Sequence, residues 1–483
     1  MRRPDQCRSH HCIGHRHLSL AARRSNRSHM DHWLGRSIGY HTGKMRDPKA
    51  AAAPPATLPE DVLLEILARV PDVADLFRCA AACKRWRALV ADRPFLRRRW
   101  PEDARHPSSL LGFFGQEWGR EDAPAPPPDF IRAPRSVLRP GRPFLGSFVP
   151  GAAGLFDRAV PLASNRGLLL VRYVPRGGSA PCPAVDVDHL AVCNLLSGAC
   201  DVLPPLHRGW FYNYSDTSGY AVLTGADCCC STGHPPSPSA FFKVLVIGLN
   251  QDGMRYDLRT FSSGDPSWSL PTRCFNPIEH NIFGPIMQRG GVVRRGTVHW
   301  LLWDLVNFHA LDVHVATGDV SLHMLPAPRP QDLLRCQYDK PRLSVAADGT
   351  TLSSLCLFRD DLTVEVWTWR DDDGDRGQWG RDRVVELRRP KQKRIEGPMC
   401  MCVGERSGTM LVRADGRCIY MADLETGALE EVTDQFCGIG GWKTAFPVEI
   451  DWPALFMHRL GGKSADLVRC FSRLGSLPEF QVG

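Results

Sequence analysis

No uninterrupted apolar run in the 483-residue sequence approaches the ~20 residues a helix needs to cross a bilayer. The longest candidate, around Phe241 to Leu249, has the length of a strand and carries Lys243. No basic-then-apolar secretory signal opens the chain either. A soluble intracellular protein, cytoplasmic and/or nuclear and without a membrane partner, is therefore expected. The 18 cysteines include no C-x-x-C pair, the spacing that typifies structural zinc sites. Cys228, Cys229 and Cys230 are consecutive, which suits one tetrahedral site poorly, and Cys400 and Cys402 alternate like neighbours on one face of a strand. Free thiols, mostly small core residues, are expected rather than a metal site or a disulfide framework.

Catalytic signatures are missing as well. No G-x-S-x-G elbow and no H-E-x-x-H pair occurs. Gly462-Lys463-Ser464 mimics the end of a phosphate loop, but Met457 stands where its first glycine belongs. Gly438-Ile439-Gly440 lacks the third glycine of a dinucleotide fingerprint, since Lys443 takes its place. Asp371, Asp372, Asp373 and Asp375, beside Gly374 and Gly377, read as a solvated hairpin tip rather than a calcium loop. His299 next to Trp300 reads as a strand residue. No catalytic residue, no cofactor and no metal are expected.

A cationic folded surface is also absent. The formal charge of +8 suggests nucleic acid until it is located: residues 1–50 hold eleven Lys plus Arg and three Asp, which already makes +8. The remainder has 49 basic and 49 acidic residues, so the body is neutral and no nucleic-acid partner is expected. Residues 1–44 are rich in Arg, Ser and His without hydrophobic periodicity. His10, His11, His15 and His17 lie near Cys7 and Cys12, but no fold is evident around them, and residues 1–56 read as a disordered tail with an Ala/Pro linker. The composition loosely resembles an organelle transit peptide, without a convincing amphipathic helix. Translation from Met45 is a further option.

From Thr57 the pattern changes. Thr57 and Glu60 have capping-box spacing, and Pro59 suits a first helical turn. Val62, Leu63, Ile66, Leu67 and Val70 recur at helical spacing, Pro71 ends the run and Asp72 can cap a second helix carrying Leu76, Phe77, Ala80 and Cys83. A third helix holds Trp86, Leu89 and Val90 and stops before Pro94. Three such helices enclose a very small core, so their apolar surface is expected to need either a partner or the rest of the chain.

Leu58-Pro59-Glu60-Asp61 followed by Leu63-Leu64-Glu65-Ile66-Leu67, then Cys83-Lys84-Arg85-Trp86 with Phe95 downstream, resembles the F-box family over residues 57–100. Ala81-Ala82 departs from the larger apolar residue often found before the Cys. The resemblance implies docking on the Skp-type adaptor of a cullin-RING (SCF-type) ubiquitin ligase. Its implied anchors are Leu58, Pro59, Leu63, Ile66, Leu67, Val70, Leu76, Cys83, Trp86 and Leu89, some of which belong to the internal core.

Residues 101–143 are Pro-rich and read as a connection or irregular first layer. Residues 144–470 read as strands, among them Gly167 to Tyr173, Phe242 to Leu249, Thr297 to Trp303 and Thr363 to Trp369, with 471–483 as a C-terminal tail. Gly198, Gly264, Gly318, Gly374 and Gly427 each follow a strand-like run at intervals of 66, 54, 56 and 53 residues. Gly296, Gly349 and Gly408 repeat at 53 and 59. Both series imply a unit of about 55 residues, one four-stranded blade of kelch length, and hence a β-propeller of about six blades. A pair of β-sandwiches with chance turns is the alternative.

Gly296-Thr297-Val298-His299-Trp300-Leu301 resembles a strand of F-box-associated propellers, notably the grass-type families. The expected protein is thus a small all-α F-box followed by an all-β propeller. It would serve as a ligase substrate receptor that binds an unknown target protein, with residues 228–238 and 370–380 as candidate docking insertions. The alternatives are a scaffold outside any ligase, or a propeller enzyme or sugar-binding module with a helical cap.

Overall fold

The computed structural model describes residues 58–460 apart from internal stretches. The longest of these are 118–128, 137–148, 150–158, 174–186, 208–217, 229–240, 277–285, 327–338 and 433–441, with shorter ones including 371–376 and 389–394. The tail to residue 57, the tail from 471, Cys229, Cys230, the Asp371–Asp375 cluster and both glycine-loop look-alikes fall outside the described residues.

Four helices come first: α1 (Glu60–Ala68), α2 (Val73–Ala82), α3 (Lys84–Val90) and α4 (Arg93–Arg99). Asp72 caps α2, its carboxylate accepting from Ala74 N at 2.7 Å. The Cys83 sulfur accepts from Trp86 N at 3.4 Å and caps α3, which gives the Cys-Lys-Arg-Trp spacing a local cause. The expected three-helix module is one helix short. Pro94 does not merely stop α3; it lies in the first turn of α4, where a missing N–H costs nothing, and Asp92 caps that turn through Phe95 N.

The described strands form six blades. Blade 1 is β3 (Val160–Asn165), β4 (Leu168–Arg172), β6 (Leu190–Asn194) and β7 (Cys200–Val202), with β5 (Val187–Asp188) and β8 (Leu206–His207) paired beside it. Blade 2 is β9 (Gly219–Thr224), β10 (Phe242–Leu249), β11 (Tyr256–Ser262) and β12 (Thr272–Phe275). Blade 3 is β13 (Val292–Arg294), β14 (Thr297–Trp303), β15 (Phe308–His314) and β16 (Val320–Met324). Blade 4 is β17 (Arg342–Val345), β18 (Leu352–Phe358), β19 (Thr363–Arg370) and β20 (Gln378–Glu386). Blade 5 is β21 (Met399–Val403), β22 (Thr409–Ala414), β23 (Cys418–Asp423) and β24 (Leu429–Glu431).

Blade 6 closes the ring from both sides of the sequence. Its inner strand β25 (Trp442–Glu449) pairs with β1 (Leu110–Glu117), and β1 with β2 (Asp129–Arg132). The stretch 101–143, whose prolines suggest a connection, therefore contributes two strands of the ring. The inner strands β3, β9, β13, β17, β21 and β25 neighbour one another in that order around the axis and back to β3.

The repeat seen in the glycines has a conformational cause. Gly198, Gly318 and Gly427, each in the third hairpin of its blade, and Gly296, Gly349 and Gly408, each in the first, have φ between +65° and +80°. A Cβ at Gly427 would run into the Glu386 carbonyl of the neighbouring blade. The long 66-residue interval reflects the extended β9–β10 connection.

Apolar residues fill the gap between each pair of blades, and polar groups stitch the inner strands. Ser164 donates to Pro447 O at 3.1 Å between blades 1 and 6, and Asn165 donates to Val222 O at 3.0 Å between blades 1 and 2. Tyr220 exchanges backbone bonds with Arg289 and Gly291, and Gln288 does so through its amide with Leu343. Asp339 accepts from Cys400 N, and Glu449 from Arg406 N and Ser407 N at 2.9 and 2.8 Å.

The helices are not independent of the ring. After β25 the chain forms α5 (Trp452–Leu460), whose Phe456 stacks on Phe77 of α2 at 4.0 Å and on Trp100 at 5.6 Å. Leu63, Leu67, Leu76, Phe77 and Leu96 share one apolar cluster with Leu111, Phe114, Leu169 and Val448 of blades 6 and 1. Truncating the aromatic keystone by Phe456→Ala should cost about 3–5 kcal/mol. Helical and tryptophan signals are expected to move together in urea unfolding. A shift of the helical signal alone would show that the two parts have separate cores.

Candidate functional site

Helix α1 has two apolar stripes with opposite fates. Leu63 and Leu67 are 4% and 1% exposed and face the shared cluster. Leu58, Val62 and Ile66, at four-residue spacing along the other side, are 51%, 43% and 44% exposed. Of the anchors named from sequence, Leu63, Leu67, Leu76 and Leu89 are buried, Val70 and Trp86 half-buried, and Leu58, Pro59, Ile66 and Cys83 exposed. The structure thus brings Leu58, Pro59 and Ile66 to one face and withdraws Leu67 from it. Val62 completes the exposed line. Its spacing from Leu58 and Ile66 was the available signal, but spacing alone leaves open which stripe turns inward.

Arginines fix both ends of α1. Arg85 of α3 donates to Leu58 O at 2.7 Å, with its Nε 3.9 Å from Glu60. Arg99 of α4 donates to Ala68 O at 2.9 Å and also to the Val70 and Pro71 carbonyls, satisfying groups the helix end leaves open. Burial pushes the Arg99 guanidinium below its usual range. The helix that carries the exposed stripe is thus tied at both ends by side-chain hydrogen bonds from α3 and α4.

A second concavity runs along the axis of the ring, a cavity of about 1340 Å³. Leu96 of α4, Trp100 just after it, and Pro453 and Met457 of α5 line it where the inner strands finish. Strands alternate in direction, so the β9–β10 and β19–β20 connections leave the ring at this same end. The described residues that flank the two candidate insertions, Thr224 to Cys228 and Arg370 with Gln378, therefore lie at that end, while residues 229–240 and 371–376 fall outside the described ones. At the other end the lining includes Arg289, Lys340 and Arg342, with Asp339 buried and bonded to Cys400 N. Burial, with Arg342 close by, holds the Lys340 ammonium below its ordinary range.

His299 is 3% exposed within β14, its Nδ1 2.7 Å from Asp312 Oδ1. That arrangement fixes the ring within blade 3. Among the described residues no group of three His, Cys, Asp or Glu could hold a metal ion.

Glu405 lines the axial cavity in the β21–β22 turn. Burial, reinforced by Glu449 and Asp227 and offset by Arg166 and Arg406, pushes its carboxyl up to about 8. The folded state then keeps a proton that the unfolded state has lost, so stability falls as pH rises from the ordinary 4.5 towards 8. Glu405→Gln is expected to flatten this slope and raise the urea midpoint at the alkaline end of the window. An unchanged slope would remove Glu405 as its source.

No helix among the described residues is long and apolar enough to cross a membrane. No curated protein matches the chain. Three solved structures are similar over long stretches at low identity. A protein from Lactobacillus plantarum is 10% identical over 68% of this chain and 82% of its own, with a TM-score of 0.32. A post-proline cleaving enzyme from Rickettsia typhi is 11% identical over 78% of this chain and 57% of its own, at 0.30. The Cps50 (Swd1) β-propeller domain of Myceliophteria thermophila is 10% identical over 56% and 87%, at 0.29. At such scores these likenesses carry no argument. Residues 55–100 match the F-box-like family, and with the ring described above the chain carries a short helical F-box region over residues 60–99, followed by a six-bladed β-propeller.

Proposed function

We propose that the chain is the substrate-recognition subunit of an SCF-type ubiquitin ligase. In this reading the helical region docks on a Skp-type adaptor, and through it a cullin, while the propeller holds a target protein. The chain itself supplies recognition, and ubiquitin transfer belongs to the partner subunits. The protein would be a plant member of the grass-type F-box families, with a kelch-like propeller, working in the cytoplasm and/or nucleus. Its modules would be the F-box at 57–100 and the propeller over 144–470, with β1 and β2 completing the ring.

The observation that carries this reading is the exposed line Leu58, Val62 and Ile66 on a helix whose other face is fully used by the chain's own core. Helix-in-groove docking uses such a stripe: apolar side chains enter a complementary groove while the frame behind stays fixed. Full burial of each is worth about 1.5–3 kcal/mol before association costs are subtracted. Pro59 extends the same surface, and Cys83 and Trp86 stand at its edge as further candidate contacts.

The test separates this face from the core. Val62→Asp and Ile66→Asp each place a carboxylate on the exposed stripe, where the free protein tolerates it. Each should weaken adaptor binding at least about 100-fold, since more than ~3 kcal/mol is lost. The urea midpoint should stay within error of the parent. Leu67→Asp, by contrast, should unfold the helices and the ring edge together. Adaptor binding that survives both exposed substitutions would place the docking face elsewhere, and an unsubstituted chain that captures no Skp-type adaptor would end the ligase reading.

A further inference from the structure

In blade 1, β6 and β7 are joined by a tight hairpin in which Cys193 stands directly opposite Cys200. The ladder settles which kind of pair this is. Asn194 N donates to Ala199 O at 2.9 Å and Leu203 N to Leu190 O at 2.9 Å, so 190/203, 192/201 and 194/199 are the hydrogen-bonded pairs. Cys193 and Cys200 alternate with them and form a non-hydrogen-bonded pair. Such pairs have the closer backbones, with Cα atoms about 4.5 Å apart and both side chains on one face. That separation lies within the roughly 4.4–6.8 Å that a disulfide spans. Both residues are free thiols in the structure.

The two thiols differ in environment. Cys193 has no exposed surface and belongs to the cluster that joins blades 6 and 1 to the helices. Cys200 packs against the same cluster but is only half-buried. We propose that Cys193 and Cys200 form a redox-convertible dithiol, closed to a cross-strand disulfide by exchange with a low-molecular-weight disulfide.

The chemistry runs through the accessible member. The hydrogen bond from Cys193 lowers the Cys200 thiol below its ordinary range and raises that of Cys193. Cys200 therefore loses its proton first and is the nucleophile. Its thiolate attacks one sulfur of the incoming disulfide, forming a mixed disulfide and releasing one thiolate, which takes up the proton. Cys193 then attacks the Cys200 sulfur, expels the second small thiol with its own proton, and leaves the Cys193–Cys200 bond. One external disulfide is reduced to two thiols for each protein disulfide formed, so electrons and protons balance. The loop enclosed is short, and the bond would lock the edge of blade 1 beneath the helices.

The experiment uses the intact chain, equilibrated with oxidised and reduced glutathione, quenched in acid, alkylated after unfolding and mapped by mass after cleavage between Asn194 and Ala199. Cys193 and Cys200 should lose alkylation together, and their two fragments should appear as one crosslinked species. Cys193→Ser should leave Cys200 carrying glutathione, because no second thiol resolves it. Cys200→Ser should leave Cys193 as a free thiol. The proposal fails if Cys200 keeps glutathione in the unsubstituted protein while Cys193 stays alkylatable, if Cys200 pairs with Cys182, or if both stay reduced where other cysteines oxidise. The crosslink is read on the unsubstituted protein, so the result does not depend on either variant folding.

Discussion

The pairing of β1 with β25 is the contact on which the architecture depends. A propeller blade has no isolated core; each buries its faces against two neighbours, and a ring with an open seam leaves two of those faces wet. Here the seam is closed by an antiparallel ladder running from Leu110↔Glu449 to Glu117↔Trp442, between segments from opposite sides of the ring in sequence. Both closing segments continue into helix-bearing sequence. The strand β1 follows the four helices, and β25 leads directly into α5.

That continuity explains why the helical region sits where it does. The gap between blades 6 and 1 has the same apolar filling as the other gaps, but its cluster runs on through Trp452 and Phe456 into α2 and α4. Trp452 Nε1 donates to Ser108 O at 2.9 Å, bridging 344 positions at the point where helices become strands. The helices therefore bury one stripe of α1 against the shared cluster and leave the other exposed. A helical region joined only by a tether could present either face; this one presents a single face in a fixed orientation to the ring.

Much of this is legible in the sequence. The strands at Phe242–Leu249 and Thr297–Trp303 match the sequence pattern residue for residue. Blade number follows from a series of turn glycines, of which Gly198, Gly296, Gly318, Gly349, Gly408 and Gly427 have a left-handed backbone that is a property of the turn itself, so local sequence is enough. What is not legible is non-local. The Pro-rich stretch hides β1 and β2 because the inner strand that β1 covers, β25, lies more than three hundred residues away, and nothing near them signals it. Pro94 reads as a stop although it also begins α4, since proline is compatible with both. The division of α1 into buried and exposed stripes is equally hidden: Leu63 and Leu67 look no different from Val62 and Ile66 until α5 is placed against the bundle.

The order in which a ribosome delivers these segments gives the seam a further meaning. The four helices emerge before the ring, but the aromatic residues that complete their packing, Trp452 and Phe456, emerge only after the five blades and β25 have passed. Until then the inner stripe of α1 lacks its full cover, and both stripes are competing sticky surfaces. A chain that stops anywhere in the ring lacks Trp452 and Phe456, and with them the aromatic packing on Phe77 and Trp100 that ties the helices to the closed seam.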